Sequence, residues 1–128
     1  MNKLDQFSEC FSIVPITDVV SVSNNEYSLT DPNSEIKLIA DNDILISQQA
    51  NRSDSGVQYN ISTTINIKTD NRLMVLNSLP AIVVLKTLRN RQKVWGNKDF
   101  PVIINVQPSA DSYLMSIHLR STSLVPII

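Results

Sequence analysis

One alternating segment, residues 57–68, constrains the fold more than any other part of the chain. Apolar or β-branched side chains occupy every second position, and polar side chains occupy the positions between them. A period of two is that of a β-strand with one buried face and one solvent-exposed face. At about 3.3 Å per residue the segment extends roughly 40 Å, which is long for a small domain. We therefore expect this strand either to bend or to project beyond the core.

The residues after this strand predict one short helix and further strands. Asp70 is placed to cap a helix over residues 71–79, where leucines recur at helical spacing, and Pro80 ends it. Strands are predicted at residues 81–88, 91–95, 101–107 and 112–121, with turns at residues 89–90 and 108–111. In the last strand, four side chains are expected to face inward: Tyr113, Met115, Ile117 and Leu119.

The first half of the chain is less regular. Residues 11–23 predict a strand interrupted by Pro15 and Asp18, and residues 35–40 and 44–47 predict a hairpin that turns at residues 41–43. Residues 48–55 predict a polar loop. The apolar tail, residues 124–128, is expected to pack on a neighbour or across an open edge of the domain. The sequence thus predicts a single, mainly β domain over residues 1–128, an antiparallel sandwich or small barrel of about seven or eight strands with one short helix.

Charge is distributed unequally along the chain. Residues 1–55 contain nine acidic and three basic side chains, whereas residues 56–128 contain eight basic and three acidic ones. Only 18% of all residues are charged, so uncharged polar groups must cover much of the surface, and such a surface is easily desolvated by a partner. A bipolar subunit with two complementary faces is suited to internal pairing or to head-to-tail association.

Several classes of protein do not fit the sequence. No stretch approaches the roughly 18 consecutive apolar residues of a membrane span, and the first ten residues carry Asp5 and Glu9 without the apolar segment of a signal peptide. The single cysteine, Cys10, excludes an internal disulfide and fits a reducing compartment. We expect a protein that is made and assembled inside a cell, with no membrane association.

No catalytic, metal or cofactor site is predicted. The only histidine, His118, falls on the polar face of a predicted strand, and the acidic neighbours of Cys10 make it a poor candidate for a nucleophile. One His and one Cys cannot build a structural zinc site, and the acidic clusters at residues 31–35 and 41–43 lack a calcium-loop pattern, so turns are the ordinary interpretation. A catalytic pair of carboxylates is not excluded by the sequence, because two acids that are distant in the chain can lie side by side in the fold. We expect a protein that is not an enzyme.

One cluster is a candidate interface, and it consists of five cations around a predicted hairpin and one aromatic residue: Lys86, Arg89, Arg91, Lys93, Lys98 and Trp95. Three interpretations are open. The cluster is a solvated hairpin tip whose tryptophan fills the core, a surface that docks on the acidic half of another copy, or a phosphate-binding site with Trp95 stacked on a base. Five charges and an acidic first half argue against a dedicated nucleic-acid binder.

The order of elements from about residue 57 onward resembles a known group of proteins. A long alternating strand, a short leucine-rich helix and an apolar hairpin lead to the stretch VWGNKDFPV at residues 94–102 and two further strands. This layout resembles small structural proteins of the neck and tail of tailed bacteriophages. The resemblance implies a β-rich module that forms rings or tubes, that meets copies of itself and other virion proteins, and that is assembled in the host cytoplasm into the virion.

Two hypotheses follow. The first is a non-enzymatic structural or assembly protein, a tail or head-tail connector component that forms a ring or tube by self-association. The alternative is a β-sandwich module that binds a ligand or protein through the polar loop at residues 48–55 and the region of Trp95.

Overall fold

The computed structural model describes residues 2–108 and 113–128. Within them lie ten strands: β1 (Asn2–Pro15), β2 (Val19–Ser23), β3 (Glu26–Leu29), β4 (Ile36–Ile39), β5 (Ile44–Ser53), β6 (Gly56–Lys68), β7 (Pro80–Thr87), β8 (Gln92–Trp95), β9 (Val102–Pro108) and β10 (Leu114–Ser123). Short 3-10 helices span Ile16–Asp18, Pro32–Ser34 and Asn71–Leu76. No helix in these residues is long and apolar enough to cross a membrane.

The main sheet closes on itself. Eight strands pair in the order β4-β1-β5-β6-β10-β9-β7-β8, and β1 also pairs with β7. This extra pairing turns β1, β5, β6, β10, β9 and β7 into the wall of an antiparallel barrel, with β4 and β8 added beside it. Closure removes most of the unpaired strand edges that an open sheet would expose. The predicted fold class, mainly β and antiparallel with a small barrel as one form, is confirmed.

The strands of the barrel are strongly staggered. Following hydrogen-bonded neighbours around the wall from Leu4 passes through Ser47, Ser62, Arg120, Ile103 and Pro80. Ala81, next to Pro80, pairs with Pro15, so a path that begins near one end of β1 returns near its other end. Such a stagger requires strands that are steeply tilted against the barrel axis.

The tilt leaves the β5–β6 hairpin projecting beyond the barrel. β1 reaches along β5 only as far as the pair Asn2 and Gln49, and β10 reaches along β6 only as far as the pair Ser123 and Tyr59. Past these pairs the two strands have only each other as partners among the described strands. The expectation that the long strand projects from the core is confirmed.

Side chains from all six strands of the barrel fill its interior, and other segments of the chain close both of its ends. Leu73 and Leu76 of the 3-10 helix Asn71–Leu76 enter the core at one end. At the other end Ile127 of the C-terminal tail is buried, and its backbone N–H donates to Oε1 of the buried Gln48 at 2.8 Å. The tail therefore packs on its own domain, which is one of the two places expected from the sequence.

A second, smaller core lies outside the barrel. The β2–β3 hairpin covers the outer face of β7 and β8, where the buried side chains are Val14, Val19, Ile82 and Val94. The hairpin turns at Asn24 and Asn25, whose φ angles are 53° and 62°. Two successive left-handed residues form the tight turn that joins twisted antiparallel strands, and asparagine tolerates this conformation well.

The predicted helix exists in a shorter and tighter form. Asp70 caps it as expected, because its Oδ1 accepts the backbone N–H of Arg72 at 3.0 Å. The helix is 3-10 and ends at Leu76, however, and Leu79 of the predicted apolar stripe is exposed. The chain must reverse immediately into β7, and a left-handed Ser78, whose N–H donates to the Ile104 carbonyl at 2.6 Å, makes that turn.

The hairpin predicted at residues 35–47 is wrong. β4 and β5 both pair with the same edge of β1, as the pairs Ile39 with Cys10 and Ile44 with Phe7 show, so they run in the same direction. The residues between them form a bulge in one interrupted strand rather than a reversal. The cause is the strand that the sequence did not predict: residues 2–10 extend β1 far enough to pair with both segments.

The last strand begins later than predicted. β10 starts at Leu114, and Tyr113 is exposed rather than inward-facing, whereas Met115, Ile117 and Leu119 are buried as expected. The predicted turn at residues 108–111 and the predicted strand start at residue 112 lie, apart from Pro108, outside the described residues.

Candidate interaction surface

The β7–β8 hairpin carries the five cations predicted from the sequence, and its turn holds two of them together. The Thr87 N–H donates to the Arg91 carbonyl and the Asn90 N–H donates to the Thr87 carbonyl, each at 2.8 Å, with Asn90 in the left-handed region. Arg89 and Arg91 flank this turn, and both are exposed. The turn therefore presents two guanidinium groups to solvent.

The other three cations lie apart from that pair. Lys86 and its register partner Gln92 point to the outer face of the sheet, whereas Lys93 pairs with Leu85 on the inward face. Lys98 is in the loop that follows the opposite end of β8. Within the described residues the one ion pair joins Asp70 to Arg72, so none of the five cations is neutralised by a described carboxylate. The five cations therefore lie on different sides of one hairpin and do not form one binding site.

Trp95 does not lie on the surface. Its side chain is 1% exposed and packs in the main core, and its indole N–H donates to the Ser121 hydroxyl at 2.7 Å. Its placement in the interface set, and its use as a stacking residue, are corrected by this burial. Because Val94 next to it covers the outer face, alternation along β8 turns the indole inward.

The polar loop predicted at residues 48–55 is also corrected. Most of it is strand, because β5 continues to Ser53 and pairs with β6 as far as Gly56. Gln48 is buried and binds the backbone of the C-terminal tail. The segment looks like a loop in the sequence because this part of the hairpin extends past the barrel, where neither face needs apolar side chains. The alternative hypothesis thus loses both features on which it was based.

The two oppositely charged parts of the chain form two different walls of the barrel. Three steps around the six-stranded barrel in either direction lead from β1 to β10, but the two walls adjoin where β5 pairs with β6, and there the Asp41 N–H donates to the Asn66 carbonyl at 2.8 Å. The wall formed by β1, β4 and β5, together with the bulge between the last two, exposes Glu9, Asp41 and Asp43 alongside two described cations, Lys37 and Arg52; we call it the acidic wall. The wall formed by β6, β10 and β9 exposes Lys68, His118 and Arg120, with no acid at a described outward position; we call it the basic wall.

Hydrogen bonds between neighbouring strands order the polar side chains of the basic wall. The Thr64 hydroxyl and His118 Nδ1 are 2.9 Å apart, and the Ser116 hydroxyl donates to Asn66 Oδ1 at 2.8 Å. Such cross-strand pairs fix side-chain positions on a solvent-facing sheet. His118 is therefore part of a surface ladder on the polar face of its strand, where the sequence predicted it.

A groove crosses the basic wall beside Arg120. The loop before β9 folds over the sheet, and the groove of about 570 Å³ between them is lined by Phe100, Pro101 and Ile103. Arg120 and Asp99 lie on its rim. The groove thus offers apolar surface next to one cation and one carboxylate. No sequence pattern indicates it, because its residues are distributed over three elements.

A third polar cluster joins the β2–β3 hairpin to the barrel. The carboxylate of Glu35 accepts hydrogen bonds from the Tyr27 hydroxyl and from the Ser12 hydroxyl, the latter at 3.3 Å. Burial of the phenol, the hydrogen bond to Glu35 and its negative charge raise the pKa of Tyr27 to about 12. Both carboxylate oxygens are engaged by neighbouring hydroxyls, so the cluster anchors the hairpin.

The acidic segments considered for calcium have structural roles. Asp31 accepts the backbone N–H of Asn33 at 2.9 Å and so begins the 3-10 helix Pro32–Ser34, and Asp43 accepts the side-chain amide of Gln6 at 2.9 Å. Within residues 2–108 and 113–128, no three His, Cys, Asp or Glu side chains are grouped as a metal site requires.

Comparison with known proteins identifies no relative of this chain. No protein family, no curated protein and no solved structure matches this chain. The geometry of the barrel and its two walls is therefore the basis for the functional argument.

Proposed function

We propose that this protein is a non-enzymatic structural protein that self-associates into a ring or tube, as a tail or head-tail connector component of a bacteriophage. One observation carries the proposal: a closed barrel exposes an acidic wall and a basic wall as two distinct patches of opposite charge. A subunit with two different complementary patches makes head-to-tail contacts, and such contacts generate rings when the rotation between copies closes.

The projecting β5–β6 hairpin supports the same proposal. Its tip carries exposed polar side chains, among them Asn51, Arg52 and Gln58, and its backbone edges are free among the described strands. An arm of this kind reaches past its own domain, and its unpaired N–H and C=O groups are available to a neighbouring sheet. The arm is a means by which one copy holds the next.

The titratable groups considered for catalysis or for calcium binding also fit a structural role. His118 is paired with Thr64 in the surface ladder, and Glu35 is held between two hydroxyls. Each of these side chains makes a contact that orders a strand or a hairpin. The virion, with assembly in the host cytoplasm and other virion proteins as further partners, is the location that the bacteriophage resemblance adds to this proposal.

The mass of the full chain in solution tests self-association. Size-exclusion chromatography with light scattering, over a series of protein concentrations and at about 0.05 M and 0.5 M salt, should show assemblies larger than the monomer at low salt. These should dissociate at high salt, because the Debye length, roughly 10 Å at 0.1 M, falls about threefold between the two salt levels. A strict monomer at every concentration and at both salt levels would contradict the proposal.

The bacteriophage part of the proposal has a separate test. Particles purified from the strain that encodes the chain should contain it, and mass spectrometry of the particles should give a copy number that suits a ring. Its absence from purified particles, with self-association intact, would leave an assembly protein of another system.

A further inference from the structure

A pocket next to the C-terminal tail is formed mainly by three segments that are distant in the sequence. They are the turn of the β2–β3 hairpin, the end of β8 with the loop that follows it, and the tail itself, and two serines of β10 complete the lining. Its volume is about 330 Å³, at the lower end of the roughly 300–1,000 Å³ that is typical of small-molecule sites. The pocket therefore suits a small ligand rather than a segment of another protein.

Four polar side chains of the lining already use their oxygens as acceptors within the protein. The amide oxygens of Asn25 and Asn97 accept backbone N–H groups at 3.3 Å and 2.8 Å. The hydroxyl oxygens of Ser121 and Ser123, two buried residues, accept N–H groups at 2.7 Å and 3.0 Å. Among the described residues, no acceptor takes the amide hydrogens of the two asparagines or the hydroxyl hydrogens of the two serines. These side chains therefore offer a ligand mainly hydrogen-bond donors.

The charge of the lining is positive. Lys93 is the one charged side chain among the described residues that form the pocket, and no described carboxylate lies within ion-pair distance of it. Three negatively charged groups are close in the sequence, on Glu26, Asp99 and the terminal residue Ile128, but none of these residues lines the pocket. Asp99 lies instead on the groove of the basic wall. An ammonium group in the same pocket as unused donor hydrogens favours a ligand with a negatively charged acceptor group, because charge-assisted hydrogen bonds are the stronger ones.

Apolar side chains also line the pocket, among them Trp95, Phe100, Val125 and Pro126. Val125 is 63% exposed, so the tail presents apolar surface that a ligand can cover. Trp95 is buried, which distinguishes this pocket from the surface stacking site that the sequence predicted. A ligand that suits both the polar and the apolar part of the lining has an apolar body and one anionic end.

We infer that this pocket binds a small organic carboxylate, whose oxygens accept hydrogen bonds from Lys93 and from the unused donors of the asparagines and serines. Its apolar body packs on the apolar side chains of the loop after β8 and of the tail. The ligand joins the hairpin turn, the barrel and the tail, so its binding stabilises the folded chain. This inference goes beyond the proposed assembly function and does not depend on it.

The fluorescence of Trp95, the only tryptophan of the chain, tests the inference directly because its indole lines the pocket. Titration of the full chain with hexanoate at constant ionic strength should change the emission saturably. A ligand of about eight non-hydrogen atoms is expected to have a Kd of the order of 1 mM. The neutral probe hexanol, of the same chain length, should bind at least about tenfold more weakly, because it lacks the charge. No saturable response to hexanoate, or an equal affinity for hexanol, overturns the inference.

Three variants assign the binding to this pocket. Lys93→Met should raise the Kd for hexanoate at least about tenfold, whereas Lys98→Met makes the same change at an exposed lysine outside the lining and should bind like the wild type. Asn97→Asp keeps an oxygen for the two loop N–H groups that Asn97 holds, replaces the amide donor by a negative charge, and should abolish binding.

Circular dichroism without ligand confirms that all three variants fold. The inference fails if Asn97→Asp binds hexanoate like the wild type, or if Lys98→Met loses as much affinity as Lys93→Met. Self-association is measured separately, so either result leaves the proposed function standing.

Discussion

β7 and β6 are strands of one barrel, but β7 is buried on both faces and β6 on only one. The β2–β3 hairpin covers the outer side of β7, so residues 81–85 are buried without interruption. No second layer of described strands covers β6, and its side chains alternate between core and solvent as far as Lys68. The difference teaches that a continuous apolar run marks a covered wall, whereas strict alternation marks a wall that is free to meet water or a partner.

We call β7 and β8, which the β2–β3 hairpin covers, the covered wall, and β6 with β10 the bare wall. Trp95 of β8 lies between them inside the barrel, where its indole bonds to Ser121 of β10. Replacement of Trp95 by Ala should lower the free energy of unfolding by about 3–5 kcal/mol, because it removes a large buried side chain and leaves a cavity. It also leaves the Ser121 hydroxyl without its donor. Chemical denaturation monitored by circular dichroism measures the loss, which is a large part of the roughly 5–15 kcal/mol that stabilises a typical domain.

The milder variant Trp95→Phe is the control for that experiment. It keeps most of the apolar volume and removes the indole N–H, so it should cost clearly less than Trp95→Ala. If Trp95→Ala folds with unchanged stability, Trp95 is not a core residue and the two walls are not joined through it.

The outer faces of the two walls should respond differently to truncation. Ile82→Ala on the covered wall should cost about 2–4 kcal/mol, because Ile82 is buried under the β2–β3 hairpin. Thr64→Ala at an outward position of the bare wall should change stability by no more than about 0.5 kcal/mol. Equal effects in urea denaturation of the two variants would mean that the hairpin does not cover β7 in solution.

Sequence patterns predicted the fold where one physical constraint acted alone. Alternation located β6 because one face is wet, and the apolar run located β7 because both faces are buried. Asp70 located the 3-10 helix through its capping carboxylate, although the tight reversal at Ser78 shortened it. The first nine residues of β1, residues 2–10, escaped prediction, because exposed positions such as Asp5 and Glu9 break the apolar pattern near the bulge.

The candidate surface was only partly predictable for a related reason. Charge asymmetry along the chain indicated two opposed faces, but which strands carry them depends on the order of strands around the barrel. That order pairs β1 with β5 and β7, segments that are distant in sequence. Trp95 was wrongly assigned to the interface, because a tryptophan among cations looks the same in the sequence whether its side chain faces a partner or the core. Its direction follows from its neighbour: Val94 faces outward, so Trp95 faces inward.

The smallest expected effect concerns the β2–β3 hairpin, which covers β7, and the hydrogen bond between Tyr27 and Glu35 that holds this hairpin to the barrel. The hydrogen bond from Tyr27 to Glu35 and the burial of the phenol raise the pKa of Tyr27 to about 12, above its usual value of 10.0. The folded state therefore favours the protonated phenol, so this contribution to stability is complete below pH 10 and is lost as the pH rises through about 12. Ultraviolet difference spectroscopy should show a tyrosine transition near pH 12.

Two variants assign that late transition. Tyr27→Phe should remove it, and Glu35→Gln should move it to lower pH by eliminating the negative charge next to the phenol while a side-chain acceptor stays in place. Both changes should leave the barrel folded, since the cluster lies outside the main core and holds only the cover. If the wild type shows no tyrosine transition near pH 12, the hairpin is not anchored through Glu35, and the double burial of β7 depends on the apolar contacts of Val14, Val19, Ile82 and Val94 alone.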